Sequence, residues 1–364
     1  MTTPDPVSTS HDAVENASHA LDRHVADVIA WHFSPASGCP FWLNWAESAR
    51  WSPIDKVQGI DDLQRFPHFD DAWLRDVANE QWVPQALGDR PFKVFETGGT
   101  TGLPKQRVSW EDHLTDYTEF SEGLDDGDFP KRGNWLMVGP TGPRRLRLSI
   151  EHLANIRGGS CYFVDLDPRW VKKLIARGDY EQATAYRDHV IEQAVELLKH
   201  RAISCLFTTP KLLEDLGEAL SLPNAGITGV FCGGTTMTPQ MVRFLIEEVL
   251  ENRAAFVPTY GNTLMGLARS KPLRSEDRFS VTYYAPQPRA VLRVIDPDHS
   301  DRLVAYGSYG RVELSTLTRE FFMPRFLERD EAIRRPPCEE FPWDGVGDVR
   351  PFGVLEKKIV EGVY

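Results

Sequence analysis

The sequence has no long run of uncharged apolar residues, which argues against a transmembrane span. Its opening, MTTPDPVSTSHDAVENASH, lacks the basic and apolar blocks of a secretion signal and reads as a polar leader. Basic charge is in deficit: 53 acidic residues stand against 41 basic ones, for a net charge of −12. Binding a phosphate backbone needs a clustered basic surface, so nucleic acid is not an expected partner. Cysteine is scarce and scattered. Cys39, Cys161, Cys205, Cys232 and Cys338 are odd in number and never form a CxxC pair, which leaves no pattern for structural zinc. Three of them sit in apolar, strand-like runs, where cysteine behaves as a small hydrophobe. Internal repeats are absent too. The expectation is a reduced, cytoplasmic, globular protein.

What is present is enough for a large core. With 364 residues and 41% hydrophobic composition, the chain divides into two or three subdomains. Val14, Ala17, Leu21, Val25, Val28 and His32 repeat at helical spacing and predict an amphipathic helix over 13–33. The stretch GIDDLQRFPHFDDAWLRD predicts short helical pieces broken at Pro67. Beyond it, FKVFE, NWLMVG, SCYFVDL, ISCLFTT, TGVFCGG and AAFVPTY read as buried strands. Helical patterns over 181–200 and 238–252 lie between them, the second with Thr238 as N-cap and Pro239 in the first turn. This alternation predicts an α/β fold with a mainly parallel sheet. From about Phe279 the pattern changes to apolar/polar alternation around an Asp-Pro-Asp turn, which predicts a smaller antiparallel subdomain over 279–320.

One segment resists a purely structural reading. Thr97-Gly98-Gly99-Thr100-Thr101-Gly102-Leu103-Pro104-Lys105 lies between two strand-like runs. It is not a Walker loop, because Lys105 follows a proline and QRVSW after it is strand-like. It is not a Rossmann fingerprint either. A tight hairpin needs two or three such residues; this loop has far more. Glycines let backbone N–H groups converge on anionic oxygens, threonine hydroxyls add donors, and Lys105 adds a mobile positive charge.

The segment resembles the signature [ST][SG]G[ST]TGxPK of adenylate-forming enzymes, the superfamily of acyl-CoA synthetases and adenylation domains. Further resemblances follow in the same order. CGGTTMTP (Cys232–Pro239) is similar to the Gly-Gly turn bordering the adenine, TYGNT (Thr259–Thr263) to the YGxTE motif, and DGVGDV (Asp344–Val349) to the Gly-Asp element that holds the ribose. GIDDLQRFPHFDDAWLR is similar to the start of phenylacetate–CoA ligases. The resemblance runs from about Trp31 to the end, and in length and pattern it is nearest to the short adenylating enzymes of phenazine antibiotic assembly.

The resemblance implies an α/β fold: the large N-terminal domain of the adenylate-forming fold, parallel-rich sheets flanked by helices, and a small antiparallel β subdomain. It implies a flexible leader over 1–20, an adenylation domain over 21–350 and a hinge remnant over 351–364, with the family's C-terminal lid absent. It implies that Thr97, Gly98, Gly99, Thr100, Thr101, Gly102 and Lys105 grip the β- and γ-phosphates of ATP. Gly233, Gly234 and Thr235 would border the adenine, Tyr260 would stack on it beside Gly261, and Thr263 would touch the α-phosphate. Asp348 would accept the ribose hydroxyls. Lys105 and Thr263 are the residues implied in the chemistry. Taken alone, TYGN is a strand followed by a turn, and an Asp in a Gly turn usually caps its own backbone.

Two features depart from the family pattern. Leu264 stands where the motif has the glutamate that helps hold Mg²⁺, and the lid with its lysine does not follow. ATP is therefore the expected cofactor, and Mg²⁺ is expected to bind weakly or by a rearranged site. In GPTGPRRLRLSIEHL, Arg144, Arg145 and Arg147 read as a charged, solvated helix face. His152 reads as either a satisfied core histidine or a substrate ligand. Trp135, Phe163, Phe207 and Phe231 suit a flat aryl acid as well as a core. The implied reaction is formation of an acyl-adenylate from an aromatic carboxylic acid. The expected partners are that small acid and a separate acceptor (an amine, a thiol carrier or a partner enzyme), with no membrane and with a homodimer left open. Two other readings stay open here: a non-catalytic nucleotide-binding module, and a CoA ligase whose lid is a separate chain.

Overall fold

The computed structural model describes residues 10–98, 103–142, 144–233 and 236–353. In chain order the helices are α1 (His11–Phe33), α2 (Pro40–Ala49), the short α3 (Pro53–Lys56) and α4 (Trp73–Asp76), α5 (Asp112–Glu122), α6 (Arg144–Ile156), α7 (Pro168–Ala176), α8 (Tyr180–His200), α9 (Pro210–Ala219) and α10 (Pro239–Phe244). The strands are β1 (Lys93–Glu96), β2 (Gln106–Ser109), β3 (Trp135–Pro140), β4 (Cys161–Leu166), β5 (Cys205–Thr208), β6 (Gly229–Gly233), β7 (Ala255–Asn262), β8 (Gly266–Ser270), β9 (Thr282–Tyr284), β10 (Ala290–Ile295), β11 (Tyr309–Leu317), β12 (Phe322–Arg335) and β13 (Gly345–Pro351).

Two compact units result. Of the described residues, one gathers those within 10–94, 105–110 and 282–353; the other gathers those within 95–104 and 111–281. In the second unit β4, β3, β5, β6 and β7 pair in parallel, and β8 returns antiparallel to β7. The strand order reverses at β3, which has β4 on one side and β5 on the other. Strands covered on both faces read as continuous apolar runs, and Trp135–Val138 and Val230–Cys232 are all buried. On one face of the sheet Trp135, Met137 and Phe231 build a core with Tyr117, Phe120, Ile150, Leu153 and Phe207.

In the first unit β10, β11, β12, β13 and β9 form an antiparallel order. The antiparallel region thus continues to Pro351 instead of ending near residue 320, because β12 pairs with β11 and β13 pairs in turn with β12. Helix α1 buries Leu21, Val25, Val28, Ile29 and His32 at the predicted spacing. It is tied down by side chains that reach backbone carbonyls: His24 Nε2 lies 2.7 Å from Leu317 O, and His32 Nε2 lies 2.7 Å from Thr318 O. On α2, Trp42 Nε1 donates to Phe322 O at 3.0 Å.

Two expectations need correction. The leader expected over 1–20 is helical from His11, because the Ser10 hydroxyl accepts the Ala13 N–H and caps α1. The helix expected over 238–252 starts as predicted, with Thr238 Oγ1 accepting from Met241 N at 3.2 Å, but α10 passes into a π-helical turn at Leu245–Val249. The five thiols are free. Burial raises the pKa of Cys39 to about 11 and those of Cys161 and Cys205 to about 12, so these three are unreactive at neutral pH.

Candidate active site

The β7–β8 hairpin sets one edge of the site. Asn262 faces Gly266 across it, and Asn262 Oδ1 accepts from both Leu264 N and Met265 N at 2.9 Å, an Asx turn that fixes the loop. Gly266 has φ +106°, a conformation that suits glycine. Within this turn the Thr263 hydroxyl donates to Glu96 O at 3.1 Å, and its carbonyl accepts from Arg145 Nη1 at 2.6 Å. Arg145 Nη2 pairs with Asp116 Oδ2 at 2.6 Å, with both side chains buried. Arg145 corrects the reading of a solvated arginine face. Its neighbours Arg144 and Arg147 are exposed, whereas Arg145 and Ser149 share the buried stripe of α6 with Leu153.

These groups border a cavity of about 300 Å³ at the carboxyl ends of the parallel strands, where open α/β sheets place their ligands. Pro140 of β3, Phe207 of β5, Gly233 of β6 and Thr259 of β7 contribute from the sheet; Tyr117, Arg145, Ser149 and Pro168 come from helices. Among the residues lining it Arg145 is the one cation, and Asp116 neutralises it. The wall is mostly apolar with a few placed polar groups, the usual make-up of a small-molecule site.

The cavity brings together Thr97, Gly98, Gly233, Gly261 and Thr263, all expected at a nucleotide site. Gly233 sits so close to Thr259 that an added Cβ would lie 2.9 Å from its hydroxyl. Gly99, Thr100, Thr101, Gly102, Gly234 and Thr235 lie outside the described residues. Tyr260 alternates with Thr259 and Gly261 along β7 and is not among the lining residues. His152 is not among them either; its Nε2 lies 2.9 Å from Thr118 Oγ1, and burial lowers its pKa. Of the four aromatics singled out, Phe207 and Phe231 line the cavity. Trp135 is core, stacked on Phe129, and Phe163 lies under the Arg147 guanidinium.

Lys105 and Asp348 belong to the other unit. Lys105 is not the mobile charge expected: it is 6% exposed, 3.1 Å from Asp71 Oδ2 and 4.4 Å above the Phe326 ring. Burial lowers its pKa, with Asp71 opposing the shift. Asp71 is pulled down to about 2, first by the Arg75 hydrogen bond and then by Lys105. An unfolded chain titrates this group near the ordinary aspartate value of 3.8. The stabilisation is therefore complete above about pH 4 and lost as pH falls toward 2. Asp71→Asn should flatten stability against pH in that window, as read by urea unfolding; an unchanged acid slope would show that the pair contributes nothing. Asp348 has φ +47° and accepts a hydrogen bond from the Tyr309 hydroxyl, whose ring carries the Arg350 guanidinium 4.0 Å above it.

Leu264 is buried and its side chain offers no oxygen, and among the described residues no three His, Cys, Asp or Glu side chains gather. Mg²⁺ demands oxygen ligands, so these residues do not fit a cation held by the protein itself.

No protein-family model matches the chain, and no curated protein matches it in sequence. Solved structures do. The chain is similar to 2-hydroxyisobutyryl-CoA ligase in the postadenylation state with R3-HIB-AMP, with a TM-score of 0.66 and 15% identity, covering 97% of this chain and 72% of that one. It is also similar to that ligase in the thioesterification state with 2-HIB-AMP and CoA, with a TM-score of 0.62 and 17% identity, covering 92% and 68%. The fold is that of the large N-terminal domain of adenylate-forming enzymes. At this level of identity the likeness shows the fold; the chemistry has to come from the site.

Sequence reasoning missed Asp116, Tyr117, Ser149, Thr209 and Asn262. A signal existed for two of them. His113, Asp116, Tyr117 and Phe120 repeat at helical spacing on α5, and an Asp inside an aromatic stripe marks a buried, paired carboxylate.

Proposed function

We propose that the protein activates an aromatic carboxylic acid with ATP, forming acyl-AMP and pyrophosphate, in secondary-metabolite assembly of the phenazine type. The carrying observation is the cavity, where Thr97, Gly98, Gly233, Gly261 and Thr263 meet Phe207 and Phe231. The substrate carboxylate attacks the α-phosphorus of ATP and pyrophosphate leaves. No general base is needed, because the nucleophile is already ionised. The difficulty is bringing an anion to a polyanion, so the work is positioning and charge neutralisation by the loop's donors. The adenylate then passes to a separate acceptor. Resemblance to the short phenazine adenylating enzymes supports the setting, and the phosphate-gripping motif supports ATP.

The test is ATP–pyrophosphate exchange across a panel of aryl acids, with and without Mg²⁺. Thr97→Ala combined with Thr101→Ala should slow exchange more than about tenfold, or about 1.4 kcal/mol. A folded double variant with unchanged exchange would remove the loop from the mechanism. The buried Leu264 favours a second reading, a nucleotide-binding module without turnover, which predicts ATP binding with no exchange for any acid.

A further inference from the structure

Two hydroxyls in the cavity have no hydrogen-bond partner among the described residues. Thr209 is 3% exposed, and its Oγ1 makes no hydrogen bond with the described residues. It stands at the N-cap of α9 yet does not cap it, and the helix behind it runs ten residues to Ala219. Tyr117 is 5% exposed, and its hydroxyl forms no hydrogen bond with the described residues. Both residues line the same cavity. Leaving a buried hydroxyl unpaired is costly, while an apolar residue of the same shape would cost little. The polar alternatives nearby are already used: Ser149 Oγ donates to His113 O, and Thr259 Oγ1 donates to Cys232 O. Arg145 is committed to Asp116 and to the Thr263 carbonyl.

We infer that Tyr117 and Thr209 form a subsite for a hydroxyl group on the ring of the bound acid, so that the substrate class is hydroxy-substituted aryl acids. The inference rests on reading this cavity as the acid site. Each protein hydroxyl both donates and accepts, and a substrate hydroxyl does the same, so one group satisfies both. The rings of Tyr117, Phe207 and Phe231 take the aromatic body. The free N-terminal end of α9 favours an oxygen acceptor at Thr209. A site of this construction rejects the analogue that lacks the hydroxyl, because its own buried groups are then left unpaired.

The experiment titrates the full chain calorimetrically with benzoate and with 2-, 3- and 4-hydroxybenzoate, and measures pyrophosphate release with each. At least one hydroxybenzoate should bind about tenfold tighter than benzoate or better. Tyr117→Phe and Thr209→Val should each collapse that ratio, and the thermal midpoint should hold or rise, since neither hydroxyl supports the fold. A lowered midpoint together with an unchanged ratio overturns the subsite and makes these residues structural. Equal binding of all four acids, or of none, overturns it too. Selective binding without pyrophosphate release supports the subsite and removes the adenylation reading instead.

Discussion

Arg145→Met is expected to destabilise the second unit by about 3–5 kcal/mol, the range found when one partner of a buried ion pair is removed. The reason is the stranded group. Asp116 is 6% exposed, and with Arg145 gone its carboxylate stays in the core without its 2.6 Å partner. The Thr263 carbonyl loses its donor as well. The substitution should therefore lower urea stability and slow adenylation together, because the Thr263 turn is part of the cavity edge. Adding Asp116→Ala should recover much of the stability, since it removes the buried charge, but not the activity, since the carbonyl remains without a donor. A single variant within about 1 kcal/mol of the parent would mean that water or another cation already serves Asp116.

That network also shows where the sequence was readable and where it was not. Local signals were reliable wherever the chain's own periodicity decided the outcome. The strands at Trp135, Cys161, Cys205, Gly229 and Ala255 and the helix over Tyr180–His200 stand where their apolar patterns placed them. The adenylate-forming fold followed from ordered motifs, and seven of their residues do meet at one cavity. What could not be read was pairing across distance. Arg145 and Arg147 have the same side chain and nearly the same neighbours in sequence. Position on the helix separates them: Arg145 falls in the stripe facing Asp116, and Arg147 falls outside it. Lys105 was legible as a motif residue but not as an ion-paired one, because Asp71 is remote in sequence. The extent of β12 was missed for a related reason. Its length is set by long pairing with β11 and β13, a tertiary effect that overrides local propensity.

Gly266→Ala is expected to be strongly damaging, for two separable reasons. The first is backbone. At φ +106° an L-residue is strained, at a cost of about 1–2 kcal/mol. The second is space. A Cβ at this position would fall inside the van der Waals envelope of Asp116 Oδ2, 2.9 Å from its Cγ and 3.1 Å from Arg145 Nη2. None of these atoms has freedom to move, because the carboxylate and guanidinium hold each other and Arg145 also holds Thr263. Gly178 supplies the control: its φ is +74°, and nothing lies within 4 Å of a Cβ built there. Gly178→Ala should therefore show the backbone cost alone, about 1 kcal/mol, and Gly266→Ala should exceed it by about 2 kcal/mol or more. In an Arg145→Met/Asp116→Ala background the obstructing atoms are gone, and the two glycine substitutions should cost nearly the same. Such non-additivity is the signature of residues in one contact network. Because Gly266 pairs with Asn262 across the hairpin, the displaced strand should also move Thr263 and raise the KM for ATP. Equal destabilisation by Gly178→Ala and Gly266→Ala in the parent chain would show that the hairpin yields at no cost, and that the ion pair does not fix the Thr263 turn.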